Sequence, residues 1–536
     1  MNPVGQIQYF SSRVDNTLHP YAVSATDTSE EPKPLVLEVS PGAITDLAGA
    51  IRTTERIVDI AARNGRPCVA LRPTGCGPGS VYQNYGEVDL LESIEHVSSL
   101  YAIDRDRISI AGSSMGGAAT WYLASHYPDL FAAAAPFAGY CDYRLWEKPG
   151  GLTFHMSDWE EPSWRSRSAA FLVENLRHTP VWIGHGSWDR SVGGGVSVEH
   201  SRQMARLMDE SGHPYRYTEV PELGHASADR AGIWEDVVLW LLDQRKLRDP
   251  EHVTLATYGL RHNRSYWVSI DQLARYGHKG VVAARLVGRE AVAVQTEDVR
   301  AFSLGPVGGV ADLPVTVDGQ DVGTIDITRR RTSSRAEGDG WLLDQPQDAA
   351  EKRHGSSGPI GDMFFDRTIL VPGTSGSKEE THFNDWAARN AQIGFRSRNG
   401  GVHRGGILGE NSVDLAIIAD SDIAEGDLVD NNLLLYGTHS SNSVLAGFKS
   451  ELPIAFDGTA IQVSDKSYKV DRAAVFAIFP HPRNPERYVA VHGGVTPDAI
   501  SWGSHLGMQL LPDYLVYSRG EALDWGLWGN NWRSQP

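Results

Sequence analysis

From residue 35 to about 245 the chain alternates short apolar runs with longer stretches whose apolar residues recur at helical period. The runs at 35–39, 68–71, 108–111, 131–137, 181–183 and 215–220 are too short for helices and predict buried strands. Between them, 47–62, 88–100, 116–126, 198–211 and 233–246 predict helices. Strand and helix taking turns predicts an α/β fold with a mostly parallel sheet covered on both faces. After Leu247-Arg248-Asp249-Pro250 the texture changes. Runs at 253–258, 265–270, 281–286, 291–295 and 315–317 are β-branched and aromatic with no helical stretch between them, predicting a small β-sandwich-like domain over 252–328. Residues 329–360 are polar and predict a linker or long loop. From 361 to 536 alternation returns, with strands expected at 368–371, 415–419, 433–436, 475–479 and 488–491 and helices near 383–391 and 441–448. This predicts a second, smaller, Rossmann-like α/β layer. No internal repeat interrupts the three-part order.

Composition narrows the function classes. The 536 residues are 41% hydrophobic and 22% charged, as in an ordinary globular protein. Asp and Glu outnumber Lys and Arg by 67 to 49, a formal charge of −18 that repels phosphate backbones and argues against nucleic acid as a partner. The one tight basic run, Arg329-Arg330-Arg331, is expected at a solvated linker edge. Cys68, Cys76 and Cys141 are too few for a disulfide framework and form no Cys-x-x-Cys pair. The first residues lack the basic and apolar regions of a signal peptide, and no later run is long enough to span a bilayer, so a cytoplasmic protein without a membrane partner is expected.

The candidate chemistry centres on Gly112-Ser113-Ser114-Met115-Gly116. Gly-x-Ser-x-Gly fits in one register only, which makes Ser114 the central serine and Ser113 a spacer. The motif follows a predicted strand and opens a predicted helix, the setting in which a tight turn holds a serine hydroxyl exposed at its tip. A serine hydroxyl needs a base. His225 follows the last predicted strand of this region, through Pro221-Glu222-Leu223-Gly224, and so belongs at the ligand-binding edge of the sheet. An imidazolium needs an acid, and Asp189 follows the strand at 181–183 through His185-Gly186-Ser187-Trp188. His185 is expected to pack within the turn. The oxyanion of a tetrahedral intermediate needs two amide donors: the backbone N–H of Met115 at the helix start, and one from the loop Pro41-Gly42-Ala43, assigned to Ala43 with Gly42 second.

These motifs, together with Ile103-Asp104-Arg105-Asp106-Arg107-Ile108 and Tyr127-Pro128-Asp129-Leu130-Phe131-Ala132, resemble α/β-hydrolase serine esterases of the prolyl-oligopeptidase-like and polyhydroxybutyrate-depolymerase or feruloyl-esterase-like kind. The resemblance covers about residues 18–247. It implies an α/β-hydrolase domain over 1–247 with the order Ser114, Asp189, His225. Two departures stand out. The family commonly carries His-Gly where this chain has Pro41-Gly42. Its large peptidases also place a β-propeller before the hydrolase, whereas here only about 34 residues precede the first predicted strand.

A long insertion, about 141–178, carries Trp146, Phe154, Trp159, Trp164 and Phe171. Its position predicts a lid whose aromatic side chains, Trp146, Trp159 and Trp164, line an acyl or aromatic pocket, with Trp188 joining them. Trp525, Trp528 and Trp532 are expected to pack on their own chain. Gly437-Thr438-His439 and His492-Gly493-Gly494 suggest no chemistry. The expectation is a serine ester hydrolase acting through an acyl-enzyme on a small-molecule ester, with no metal or organic cofactor. A peptidase, an acyltransferase and a non-catalytic binding protein are its rivals, and the oligomeric state, a homo-oligomer included, stays open.

Overall fold

A computed structural model describes residues 5–39, 47–76, 81–145, 147–148, 152–153, 156–190, 195–225, 231–309, 312–336, 340–396, 413, 415–503 and 506–535. The first layer system is an eight-stranded sheet. Its order is Gln6–Ser11, Leu18–Ala25, Val69–Pro73, Lys33–Val39, Ile103–Ser113, Ala133–Phe137, Val181–Gly186 and Tyr215–Val220. The last six strands run parallel to their neighbours, and the first two join antiparallel at the edge. Those two were missed by the apolar pattern: the edge strand Gln6–Ser11 buries only Phe10, and the internal strand Leu18–Ala25 mixes the polar His19 and Ser24 into its buried stretch.

The central strands each carry a mostly apolar run, at 35–37, 69–71 and 108–111, because both faces are covered there. Leu35, Leu37, Val69, Leu71, Ile108 and Ile110 pack with Leu90, Ile94, Trp121 and Leu123. On the other face Val36, Ala70, Ala111, Ala133 and Ala135 pack with Ile57, Val58, Val237, Val238 and Leu241. Alternate residues of one strand thus serve two separate cores.

The β region consists of two five-stranded sheets around one core, in which Leu255, Val282 and Val292 pack with Trp267, Ile270, Phe302 and Trp341. It runs further than 328. Arg331–Ala336 pairs with Val299–Leu304, and Gly340–Leu343 completes that sheet, so the expected linker at 329–360 begins as two strands. The triple arginine leads into one of them.

The last region is built on a seven-stranded sheet. Ala416–Ile417, Thr368–Pro372, Asn432–Tyr436 and Asn484–Gly494 are parallel, while Ala473–His481, Tyr514–Ser518 and Glu521–Gly526 are antiparallel. It is a mixed sheet, and only its parallel half has the Rossmann-like character expected of the whole. Trp528 and Trp532 are buried against this sheet. No helix among the described residues is long and apolar enough to cross a membrane.

The regions are stitched together by buried polar contacts. Glu87, fully buried on Tyr85–Leu100, accepts hydrogen bonds from Tyr122 (2.7 Å), from Tyr127 and from His262 of the β region (2.7 Å). Arg261 of the β region pairs with Asp362 at 2.8 Å, and Asn84 Nδ2 donates to the Gly361 carbonyl at 2.8 Å.

Candidate active site

The strand Ile103–Ser113 ends one residue before Ser114, and the helix Met115–His126 starts one residue after it. Ser114 turns the chain between them with φ 58° and ψ −119°, a conformation that costs on the order of 1–3 kcal/mol for a residue with a β-carbon. Its N–H donates to the Phe137 carbonyl at 2.8 Å and its carbonyl accepts from Ala118 N–H at 3.0 Å, which hold the turn. Gly112 allows the crossing: a β-carbon there would lie 2.5 Å from the Gly116 carbonyl oxygen and 2.7 Å from Val39 Cγ2.

Asp189 and His225 sit on loops beyond the neighbouring parallel strands Val181–Gly186 and Tyr215–Val220. The two loops are tied to each other. Ser187 N–H donates to the Val220 carbonyl (2.9 Å), Trp188 N–H to the Leu223 carbonyl (2.9 Å), and Glu222 N–H to Ser187 Oγ (2.9 Å). This brings His225 Nδ1 within 2.7 Å of Asp189 Oδ2 and His225 Nε2 within 2.8 Å of Ser114 Oγ. Asp189 is sealed, with its side chain 1% exposed, whereas the His225 ring is 32% exposed and open to a substrate.

A second imidazole touches the same acid. His185 Nε2 lies 3.0 Å from Asp189 Oδ2 and 3.0 Å from the Val196 carbonyl, both acceptors, so Nε2 carries the proton. Its Nδ1 then accepts from Ser201 Oγ at 2.7 Å. Val196 N–H donates to Asp189 Oδ1 at 3.1 Å. Burial pushes the Asp189 carboxyl up, but the hydrogen bonds from His185 and His225 outweigh it and hold the group below its ordinary value of 3.8. His185 is therefore more than turn packing. A histidine in a strand buried on both faces needs partners, which was the signal available in the sequence.

Met115 opens the helix beside Ser114, and its N–H belongs to the first turn, whose amides have no carbonyl one turn back to bond. Gly42, Ala43, Trp146 and Phe154 lie outside the described residues. Trp159 and Trp164 do not form an open lid. They are 6% and 1% exposed and belong to a core shared with Tyr85, Tyr143, Met363 and Phe364. Trp164 packs on Tyr143 at 5.3 Å, and Ser163 Oγ donates to the Leu510 carbonyl. The insertion thus turns Trp159 and Trp164 toward the C-terminal layer. Trp188 is 60% exposed next to Asp189.

Among the described residues, one group of side chains has the makings of a metal site: ligand atoms of His19, Cys76 and Asp89 lie within 4.8 Å of one another. Its hydrogen bonds account for it without an ion. His19 Nδ1 is 2.8 Å from Asp89 Oδ1 and Nε2 is 3.2 Å from Asp15 Oδ1, while Cys76 Sγ donates to the Tyr85 carbonyl. Burial pushes the His19 pKa down, but the two carboxylates raise it to about 10, so an imidazolium bridges two aspartates.

Known proteins are similar to part of this chain. Residues 80–244 match the model of the prolyl oligopeptidase family. An uncharacterized secreted protein of Arthroderma benhamiae is 37% identical over 175 residues, 29% of this chain and 18% of that protein. Poly(3-hydroxyalkanoate) depolymerase C of Paucimonas lemoignei is 35% identical over 63 residues, 12% of this chain and 15% of that enzyme. The chain therefore spans less than a fifth of either relative. Among solved structures, an S-formylglutathione hydrolase from Agrobacterium tumefaciens superposes with a TM-score of 0.37 at 17% identity, covering 46% of this chain and 96% of that one. Ser114, Asp189 and His225 all fall inside residues 80–244, the span over which the chain is similar to the prolyl oligopeptidase family.

Proposed function

We propose that the protein is a serine ester hydrolase that works through an acyl-enzyme on a small-molecule carboxylic ester. The observation that carries this is the unbroken relay from Ser114 Oγ through His225 to Asp189. As Oγ attacks the carbonyl carbon, His225 Nε2 takes its proton and then returns it to the departing alkoxide. Asp189 keeps the other ring proton on Nδ1 and stabilises the imidazolium. Met115 N–H faces the developing oxyanion at the positive end of its helix, with Ala43, or Gly42 beside it, as the second donor. Water then repeats the sequence on the acyl-enzyme.

The choice of ester over amide rests on leaving-group chemistry and on Trp188. An amide nitrogen must be protonated as it departs and needs a longer, better aligned substrate. The exposed Trp188 ring offers instead an apolar face for an acyl or aryl group. The relative named as a poly(3-hydroxyalkanoate) depolymerase supports the same choice. The family match favours a second reading, a serine peptidase. Values of kcat/KM on aryl and short acyl esters against prolyl and alanyl amides separate the two, and a ratio favouring the amides would install the peptidase reading. Ser114→Ala is expected to abolish turnover and fluorophosphonate labelling, and Ser113→Ala to retain both. Labelling lost only in the Ser113 variant would overturn the register.

A further inference from the structure

The two stretches without an assigned role, Gly437-Thr438-His439 and His492-Gly493-Gly494, meet at one edge of the seven-stranded sheet. There the strand Thr368–Pro372 lies between Ala416–Ile417 on one side and Asn432–Tyr436 on the other. The chain leaves it through the helix Lys378–Arg396 toward the first neighbour and returns later on the other side. Such a reversal opens a crevice beyond the carboxyl ends of parallel strands.

The loops at this edge are built to approach closely. Gly437 has φ +119°, and a β-carbon there would lie 2.7 Å from Ser441 Oγ and 2.8 Å from Asn384 Nδ2. A β-carbon at Gly493 would lie 2.4 Å from the Gly437 carbonyl oxygen. Hydrogen bonds fix what the glycines permit. Asn384 Nδ2 donates to the Gly373 carbonyl (3.0 Å), Thr438 N–H to Ser441 Oγ (3.0 Å), and Asn442 Nδ2 to the Val371 carbonyl (3.0 Å). The Asp420 carboxylate accepts from Thr374 N–H (2.8 Å) and Ser443 N–H (2.6 Å), locking two loops together.

The result is a preformed cleft whose polar lining includes Glu380, Asn384, Thr438, Ser440 and Thr496, with the Phe456 ring on its wall. Among the described residues that line it there is one carboxylate and no lysine or arginine. A phosphate or carboxylate ligand would meet Glu380 with no compensating cation and lose its hydration without return. Hydroxyls, an amide and a carboxylate oxygen are groups that a neutral polyol satisfies by donating and accepting at once. An aromatic ring beside them suits the C–H face of a pyranose or furanose.

We propose that this cleft is a carbohydrate site, binding a neutral saccharide unit independently of the chemistry at Ser114. The test titrates the full-length Ser114→Ala protein, which cannot turn over an ester, with D-glucose, D-galactose, D-xylose, L-arabinose and N-acetyl-D-glucosamine. Saturation-transfer NMR and calorimetry read the binding. Saturable millimolar binding of at least one sugar is expected, the same in the wild-type protein. Phe456→Ala and the space-filling Ser440→Trp, each checked for an unchanged circular dichroism spectrum, are expected to weaken it about tenfold or more. No saturable signal up to on the order of 50 mM would overturn the proposal. So would binding unchanged in both folded variants, or a preference for glucose 6-phosphate or a cationic amine over the neutral sugars.

Discussion

Asp189 carries two imidazoles on one carboxylate oxygen, and the one that does not face Ser114 sets how the other stands. His185 takes part of the Oδ2 lone-pair density and, through Val196 and Ser201, anchors the acid loop to the helix Glu199–Ser211. Removing it takes one of the two imidazoles off Oδ2 and loosens the acid loop, which misaligns His225, and misplacement near 1 Å costs on the order of a hundredfold in rate. His185→Phe is therefore expected to lower kcat about tenfold to hundredfold with KM little changed, and His185→Gln, which keeps a donor, to recover part of the loss. A Tm decrease with kcat intact would reduce His185 to a packing residue. Ser114, Asp189 and His225, which the structure brings within hydrogen-bond distance, could be picked out because each follows a strand, a local signal, in the chain order that the resemblance implies. His185 could not, because its contact with Asp189 depends on how a strand end, a turn and a helix meet in space.

Among the elements, the insertion after Ala133–Phe137 departs most from its sequence reading. Its aromatic content was plain, but which surface would bury those side chains was a tertiary matter that no local pattern records. Trp164 on the helix Glu161–Arg167 is enclosed on the C-terminal layer, so Trp164→Ala should destabilise the whole chain by about 3–5 kcal/mol and leave ester kcat in the surviving folded fraction near wild type. Chemical denaturation followed by tryptophan fluorescence, with activity measured before the transition, checks both halves. The strands Arg331–Ala336 and Gly340–Leu343 escaped notice for a related reason. Arg331-Thr332-Ser333-Ser334-Arg335 has no apolar face, and its pairing partner lies about 30 residues earlier in the same sheet.

At the scale of the molecule, the first and last regions share a core and the β region is tied to both by buried polar pairs, so the chain should unfold as a unit and not in steps. Glu87 stands at the junction. Burial alone would push its carboxyl up, but His262, Tyr127 and Tyr122 hold it at about 2 against an ordinary 4.5. A depressed carboxylate pKa stabilises fully above about 4.5 and loses its contribution as pH falls toward 2. His19 has the opposite sign: raised to about 10 from 6.5, it stabilises below 6.5 and loses its contribution as pH climbs through 10. Thermal scans across pH should show a plateau with one fall at each end. Glu87→Gln is expected to lower the plateau and flatten the acid fall, and His19→Asn to flatten the alkaline one. A fragment ending near residue 247 would expose the faces of Tyr85, Tyr143 and Trp164 that the C-terminal layer covers, and should aggregate when expressed alone.

The ties between the acid and histidine loops also determine what fails first under stress. Those loops are laced to each other, while Ser114 is anchored separately, to Phe137 and its own helix. Thermal agitation therefore carries proton acceptor and carboxylate as one body and stretches the remaining link, Ser114 to His225. Warming or dilute urea should extinguish turnover well before the tertiary fold melts. Throughout that interval the deshielded imidazole proton between His225 and Asp189 should stay visible by NMR, a mute enzyme with its acid and base still joined.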